Sequence, residues 1–470
     1  MIYNVVLLIW KGITIMSDTP TRENKMGTMP IPQLLISMSL PMMISMLVQA
    51  LYNIVDSIFV AQISESALTA VSLAFPVQSL MIAVSAGTCV GMNALLSRSL
   101  GERKQEMADK TAMNGAFLAL MGALAFFLVG LLFARPYFYS QTAGNTEIAE
   151  LGTQYLRIVT MCSIGIFMEM CFERIMQSTG RTMLSMFTQL TGAIFNIIFD
   201  PILIFGLFGF PALGIRGAAI ATVLGQCIAG AFAIILNQKK NPDVHLSLSG
   251  FRPEGHVIKN IYVVGIPSIV MQSIVSVMTF GLNKILITFS ETAVSVLGVY
   301  FKLQSFVFMP VFGLNNGFIP IVAYNYGARN KKRIMETIRV GVTIAVVIML
   351  AGLAVFHLYT RELLLLFNAS DHMLEIGIPA LRIISLSFVF AGYCIILGSA
   401  FQALGNGVYS LINSVCRQLL CILPLAWLFA RLWGLQALWY SWLVAELISV
   451  TLSTILFRKI YKKKLENLIE

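Results

Sequence analysis

Two aspartates stand inside runs of apolar residues long enough to cross a bilayer. Asp56 lies in LYNIVDSIFV with Asn53 one turn earlier, and Asp200 lies in FNIIFDPILIF with Asn196 four residues before it. Each amide therefore shares a helix face with its carboxyl. An ionisable group within the hydrocarbon is costly and is a functional candidate by default. Burial disfavours the charged form of a carboxyl, and a second carboxylate nearby disfavours it further. Such a group can load a proton on one side of a membrane and release it on the other. Carboxylate and amide oxygens at this spacing could also hold Na⁺. Asp56 and Asp200 are thus expected to couple to H⁺ or Na⁺, outweighing a purely structural part beside Pro201.

The remaining intramembrane polar residues carry weaker signals. Lys302 is a cationic gate, a partner for an acid, or a side chain that snorkels to the surface. Gln78 and Gln304, with Asn53, are candidates for substrate contact or gating. Glu169 and Glu173, one helical turn apart, are expected to join Arg174 and Arg181 in an ion network at the inner surface. Lys284, Arg157 and Arg417 receive no role. The four histidines are scattered in or near loops without metal-ligand spacing, so no metal beyond a Na⁺ at the aspartates is expected. All seven cysteines lie in apolar runs without a CxxC pair, which reads as reduced packing residues. There is no Gly-Lys dipeptide, hence no Walker A loop, and no HExxH or GxSxG. The chain is not expected to be an enzyme, nor to need a cofactor.

The composition explains what positions these groups. Of 470 residues 57% are hydrophobic and 11% charged, with a mean hydropathy of +0.82, against the roughly 25% charged residues of soluble domains. The lipid bilayer is the solvent, and the net charge of +10 does not indicate nucleic acid. Twelve apolar runs reach spanning length, at about 33–61, 67–98, 110–134, 149–178, 183–206, 213–237, 257–288, 293–326, 335–357, 373–403, 407–430 and 434–457. With the N-terminus in the cytoplasm, 21 Lys and Arg fall in cytoplasmic loops and four (Arg135, Arg216, Arg361, Arg431) outside, which predicts both termini inside. The apolar stretch Val5 to Trp10 is too short to span, and Met16, before a polar segment, is the expected start.

The chain also repeats itself. Laid over itself with Pro41 on Pro267, the stretch Pro41–Arg103 falls on Pro267–Arg329 without a gap, with 11 identities in 63 positions. These include Ser64-Glu65 with Ser290-Glu291, Gln78 with Gln304, Gly87 with Gly313, and Gly101 with Gly327. Farther on, Gln177-x-x-Gly180 echoes Gln402-x-x-Gly405, and Leu213-Gly214 echoes Trp433-Gly434. Six spans per half is an even number, so both halves insert with one orientation and are related by an axis along the membrane normal. The expected fold is an all-α polytopic membrane protein with twelve helices in two pseudo-symmetric six-helix lobes. Residues 1–30 form a cytoplasmic segment, 31–237 the N-lobe, 238–256 a linker, 257–457 the C-lobe and 458–470 a basic tail. Pro41, Pro267, Gly87 and Gly313 are the expected hinges. Asp56 falls opposite Leu282, which confines the acidic site to the first lobe.

With these features, the chain resembles the multidrug and toxic compound extrusion (MATE) family from about Ile31 to Lys459, and most closely its MepA-type bacterial branch. LYNIVDSIFVAQIS, GRTMLSMFTQLTGAIFNIIFDPILIFG, GIRGAAIATVLGQ and NNGFIPIVAYNYGARN carry the resemblance. It implies a monomeric V-shaped exporter of amphipathic, often cationic drugs in the bacterial plasma membrane, exchanging them for H⁺ or Na⁺. It also implies a coupling site of Asp56, Asn196, Asp200 and Thr222. Some members carry acids on helices 7 and 10, but this chain has none from Pro267 to Phe289 or from Leu381 to Leu404. A flippase or exporter of a lipid-linked or other specific metabolite is the alternative in the same superfamily.

Overall fold

A computed structural model describes residues 24–142, 145–247, 251–367 and 369–468. The start-site question at Met1 and Met16 lies outside them. The helices are α1 (Ile31–Ala61), α2 (Glu65–Gly101), α3 (Gln105–Gln141), α4a (Thr146–Met161), α4b (Ile164–Ser178), α5 (Thr182–Phe205) and α6 (Ile215–Lys240). They continue with α7 (Gly255–Leu286), α8 (Glu291–Gly327), α9 (Lys331–Leu358), α10a (Asp371–Ser385), α10b (Phe388–Ala403), α11 (Gly407–Trp433) and α12 (Leu435–Leu465). Ten of these helices are long and apolar enough to span by themselves. The α4a–α4b and α10a–α10b pairs, bent by 42° and 46°, supply two more. Each expected run therefore has its helix.

The repeat identities mark helix boundaries. Ser64 caps α2, its hydroxyl accepting from Ala67 N at 3.0 Å, and Ser290 caps α8 through Ala293 N at 3.1 Å. Glu65 and Glu291 follow in the first turns, where a negative charge suits the helix dipole. Gly180 (φ 85°) and Gly405 (φ 72°) end α4b and α10b in the left-handed region, which a side chain would strain. The echoes at Gln177-x-x-Gly180 and Gln402-x-x-Gly405 record that backbone requirement.

The basic loops gather at one end, here called the basic face. There Lys110 pairs with Glu254 at 2.9 Å and Arg181 with Asp243 at 3.2 Å, while Arg98 and Lys464 both lie over the Tyr326 ring. The hydrophobic interior divides into two cores, one per half, but α1 and α7 each serve both. Ile31, Leu34, Leu35 and Met38 pack into the C-terminal core, and the rest of α1 runs to the N-terminal half, where Phe59 meets Phe205. Conversely, Val257 and Ile261 belong to the N-terminal core and Met278, Leu282 and Leu286 to the other. Pro41 and Pro267 sit inside their helices at these two crossings. A proline there removes one intrahelical hydrogen bond and weakens the helix where it changes partner.

The seam between the halves obeys the same register, Pro41 on Pro267. A Cβ on Gly87 would stand 2.7 Å from Ile269 N, and one on its copy Gly313 would stand 2.6 Å from Met43 N. Gly91 meets Gly265 N at 3.0 Å by the same measure and Gly317 meets Ser39 N at 2.9 Å. These glycines let backbones approach closely, as small residues do between membrane helices. All lie in the basic-face halves of α2 and α8; toward the opposite end Gly298 has nothing within 4 Å. The lobes are thus joined at the basic face.

Candidate functional site

Asp200 and Asn196 share a face of α5, 0% and 3% exposed. With its amide nitrogen turned toward the carboxyl, Asn196 donates to Asp200 Oδ2 at 2.7 Å, and its oxygen accepts from Thr222 N at 3.3 Å. Asp56 reaches the same place from α1, its carboxyl within hydrogen-bonding reach of Asp200. One oxygen of each, Asp56 Oδ1 and Asp200 Oδ1, is buried with no hydrogen-bond partner. Each of these acceptor-only oxygens needs a proton or a cation, because an unsatisfied buried charge is expensive. The structure therefore brings Asp56, Asn196, Asp200 and Thr222 together.

Two tyrosines complete the surroundings without having been singled out in the sequence. Tyr52 and Tyr155 lie within electrostatic range of both aspartates. Gln78 Nε2 donates to the Tyr155 hydroxyl at 3.2 Å, so this glutamine touches the acid site through one intermediary. The signal lay in buried tyrosine itself, whose hydroxyl demands a partner. Gln304 has no such partner among the described residues, and the register that sets Gln177 on Gln402 places Ala380 at the counterpart of Tyr155. Lys302 is exposed, its ammonium 5.8 Å from the Phe367 ring centre, with no acid beside it among the described residues.

Behind the aspartates the N-lobe encloses a cavity of about 170 Å³ lined by Tyr52, Asn53, Glu169, Glu173, Arg174 and Asn196, among others. This corrects the expected surface network of Glu169 and Glu173. Glu173 is 3% exposed and accepts from Thr188 Oγ1 and Gln189 Nε2, both at 2.7 Å. Arg181 instead pairs with Asp243. The i, i+4 spacing was read correctly as one face, but that face turns inward because α4b packs against α5 and α6. Arg174 Nη1 donates to Gln177 Oε1 at 3.1 Å and to Asn316 Oδ1 on α8 at 2.7 Å.

The C-lobe holds a buried acid of its own on α12. Glu446 pairs with Arg417 at 2.8 Å across α11, whose winding loosens over Cys416–Ile422 into a π-helical stretch. The acid was legible as a glutamate within the last apolar run. Its arginine partner, left without a role by the sequence, neutralises it, so the C-lobe has no counterpart of the carboxyl pair among the described residues.

Two helical lobes repeated in sequence, and a carboxyl pair whose neighbours Asn196 and Thr222 line a polar cavity, define a multi-pass membrane transporter. Residues 41–202 and 267–428 each match the MatE family model, and the chain belongs to that family. Pro41 opens one match and its copy Pro267 opens the other. The chain is 27% identical over 416 residues to the "Multidrug export protein MepA" of Staphylococcus haemolyticus, covering 88% of this chain and 90% of that one. It is similar to an "Outward-facing conformation of a multidrug resistance MATE family transporter of the MOP superfamily" (TM-score 0.90, 27% identity, 96% and 100% covered). It also resembles a MOP superfamily transporter from Pyrococcus furiosus described as having a binding pocket of reverse polarity (TM-score 0.88, 27% identity, 94% and 98% covered).

Proposed function

We propose that this transporter exports amphipathic organic cations across a bacterial plasma membrane by exchange with protons, its basic face and both termini in the cytoplasm. The observation that carries the reading is the contact of Asp56 with Asp200, each with an oxygen that lacks a donor. A single proton shared between the two carboxyls satisfies both, whereas Na⁺ would need a fuller shell of oxygens. Asn196 orients Asp200, and Gln78 through Tyr155 holds the opposite wall. The N-lobe cavity supplies two further acids against one arginine, a polarity suited to positive cargo. With the seam closed at the basic face, the described state is outward-facing, and alternating access proceeds by the lobes rocking about Pro41, Pro267 and the glycine seam.

The deciding experiment uses purified protein in liposomes, ethidium as the transported cation, and either a pH or a Na⁺ gradient. The reading expects a pH gradient to drive transport and Asp56→Asn or Asp200→Asn to abolish it. A response to Na⁺ alone would move the coupling to that ion, and transport under neither gradient would favour a flippase or a narrow metabolite exporter.

A further inference from the structure

The symmetric seam contains a polar contact that the repeat does not duplicate. Arg174 of α4b reaches across it to Asn316 of α8 at 2.7 Å. In the register of Pro41 on Pro267 the counterpart of Asn316 is Val90, and in that of Gln177 on Gln402 the counterpart of Arg174 is Ser399. Neither can reproduce the bond. Asn316 is 6% exposed and sits between Gly313 and Gly317, which seat α8 on Met43 and Ser39. The contact therefore lies in the middle of the seam. At its other end, Arg174 lines the N-lobe cavity together with Glu169 and Glu173.

We propose that Arg174 is the gating residue that ties the charge inside the N-lobe cavity to closure of the basic-face seam, its guanidinium dividing between the Glu169 and Glu173 carboxylates and Asn316. The inference rests on the reading that the cavity takes organic cations. A guanidinium in a water-poor site is drawn by acids that line the same cavity, as Glu169 and Glu173 do. A cation that enters the cavity offsets those acids and repels the guanidinium, which then stays on Asn316 and holds the lobes together. A loaded cavity thus closes the cytoplasmic side and leaves the outer side open, the order that export requires. In an empty cavity the acids compete for Arg174, and its clasp on Asn316 is weakened without being lost.

The test measures the distance between Lys239→Cys on α6 and Lys332→Cys on α9, both exposed at the basic face. The labels are introduced into protein whose native cysteines are replaced, in lipid nanodiscs, with and without ethidium. Asn316→Ala removes the clasp from the C-lobe side and leaves every N-lobe charge in place; Arg174→Gln removes it from the other side. A hydrogen bond to a charged group supports an expected shift of about tenfold toward the wide, cytoplasm-open distance in each variant without ligand. The double variant should shift no further than either alone. Ethidium should narrow the distribution of the parent protein but not that of Asn316→Ala, even though that variant binds ethidium within about threefold of the parent.

An unshifted distribution in ligand-free Asn316→Ala overturns the proposal. So does an Arg174→Gln shift that Asn316→Ala does not share, because Arg174 would then act within the N-lobe alone. The ligand-free comparison decides the gate without transport. A parent protein that binds but does not move ethidium would sink the antiport reading and leave this one standing.

Discussion

Gly101 and Gly327 are mutual copies at the tip of the seam: a Cβ on Gly101 would stand 1.9 Å from the Tyr324 carbonyl oxygen, and one on Gly327 would stand 2.1 Å from that of Arg98. Tyr324 is the repeat counterpart of Arg98, so one contact is written twice. Both clashes are with backbone, which cannot step aside as a side chain can. Gly101→Ala and Gly327→Ala should each cut transport about tenfold or more and lower the melting temperature of detergent-solubilised protein, as overpacking at a tight site does. Gly298→Ala, where nothing lies within 4 Å, should stay within about twofold of the parent. Unequal losses at Gly101 and Gly327 would show that the seam is not shared evenly.

At the aspartates the geometry separates residues that the sequence could only group. Asn196→Leu removes the donor to Asp200 Oδ2 and leaves a buried carboxyl short of a partner, so pH-driven transport should fall about tenfold to a hundredfold. Thr222→Ala should cost less than about fivefold, because it removes the hydroxyl that Asn196 meets at 3.2 Å but keeps the backbone N–H at 3.3 Å, which every residue supplies. Initial rates of ethidium movement at fixed pH gradient measure both. A severe Thr222→Ala defect would assign its hydroxyl a direct part in ion handling.

Much of this was legible because the constraints are local or repeated. Span positions follow from hydrocarbon thickness, and the boundaries at Ser64, Ser290, Gly180 and Gly405 follow from capping and left-handed backbone. Asp56 and Asp200 stood out by the cost of burying charge. Direction of packing was harder. Glu169 and Glu173 gave the right face but not the side on which it is buried, since α4b alone does not record its neighbours. The exchange of α1 and α7 between cores was invisible for the same reason: Leu34 and Val257 are apolar whichever core receives them. Arg174 reaching Asn316 links positions 142 residues apart with no sequence pattern between them.

The C-lobe ion pair makes a prediction about stability rather than transport. Glu446 is 4% exposed, and its second oxygen, Oε2, has no partner. Removing only Arg417 strands a buried carboxylate, so Arg417→Met should destabilise by about 3–5 kcal/mol. Arg417→Met with Glu446→Leu replaces the pair by apolar groups and should recover most of that loss. Thermal unfolding of the three proteins gives the comparison, and ethidium transport should survive in the double variant. If the double variant folds but does not transport, the pair takes part in the cycle.

The last prediction concerns Lys25, which lies outside the membrane in the helical turn before α1 (Lys25–Thr28). This turn bridges the lobes: Asn24 Nδ2 donates to Thr179 O at 3.2 Å, while Asn325 Nδ2 and Arg333 Nη2 donate to Met26 O at 3.1 and 3.0 Å. Burial of Lys25, helped by the nearby charge of Arg181, lowers its ammonium from 10.5 to about 8. Below pH 8 the lysine is charged in both folded and unfolded chains, and the folded protein bears the full cost of burying that charge. As pH rises from about 8 toward 10.5, the folded form sheds its proton while the unfolded form keeps it, so this contribution to stability increases with pH. Lys25→Met removes the cost altogether. It should raise the melting temperature at pH 7, and its advantage should shrink steadily toward pH 10 as the native lysine becomes neutral. An advantage that stays constant with pH would attribute the gain to packing against Gly180, which lies near the Lys25 Cε atom, and not to charge.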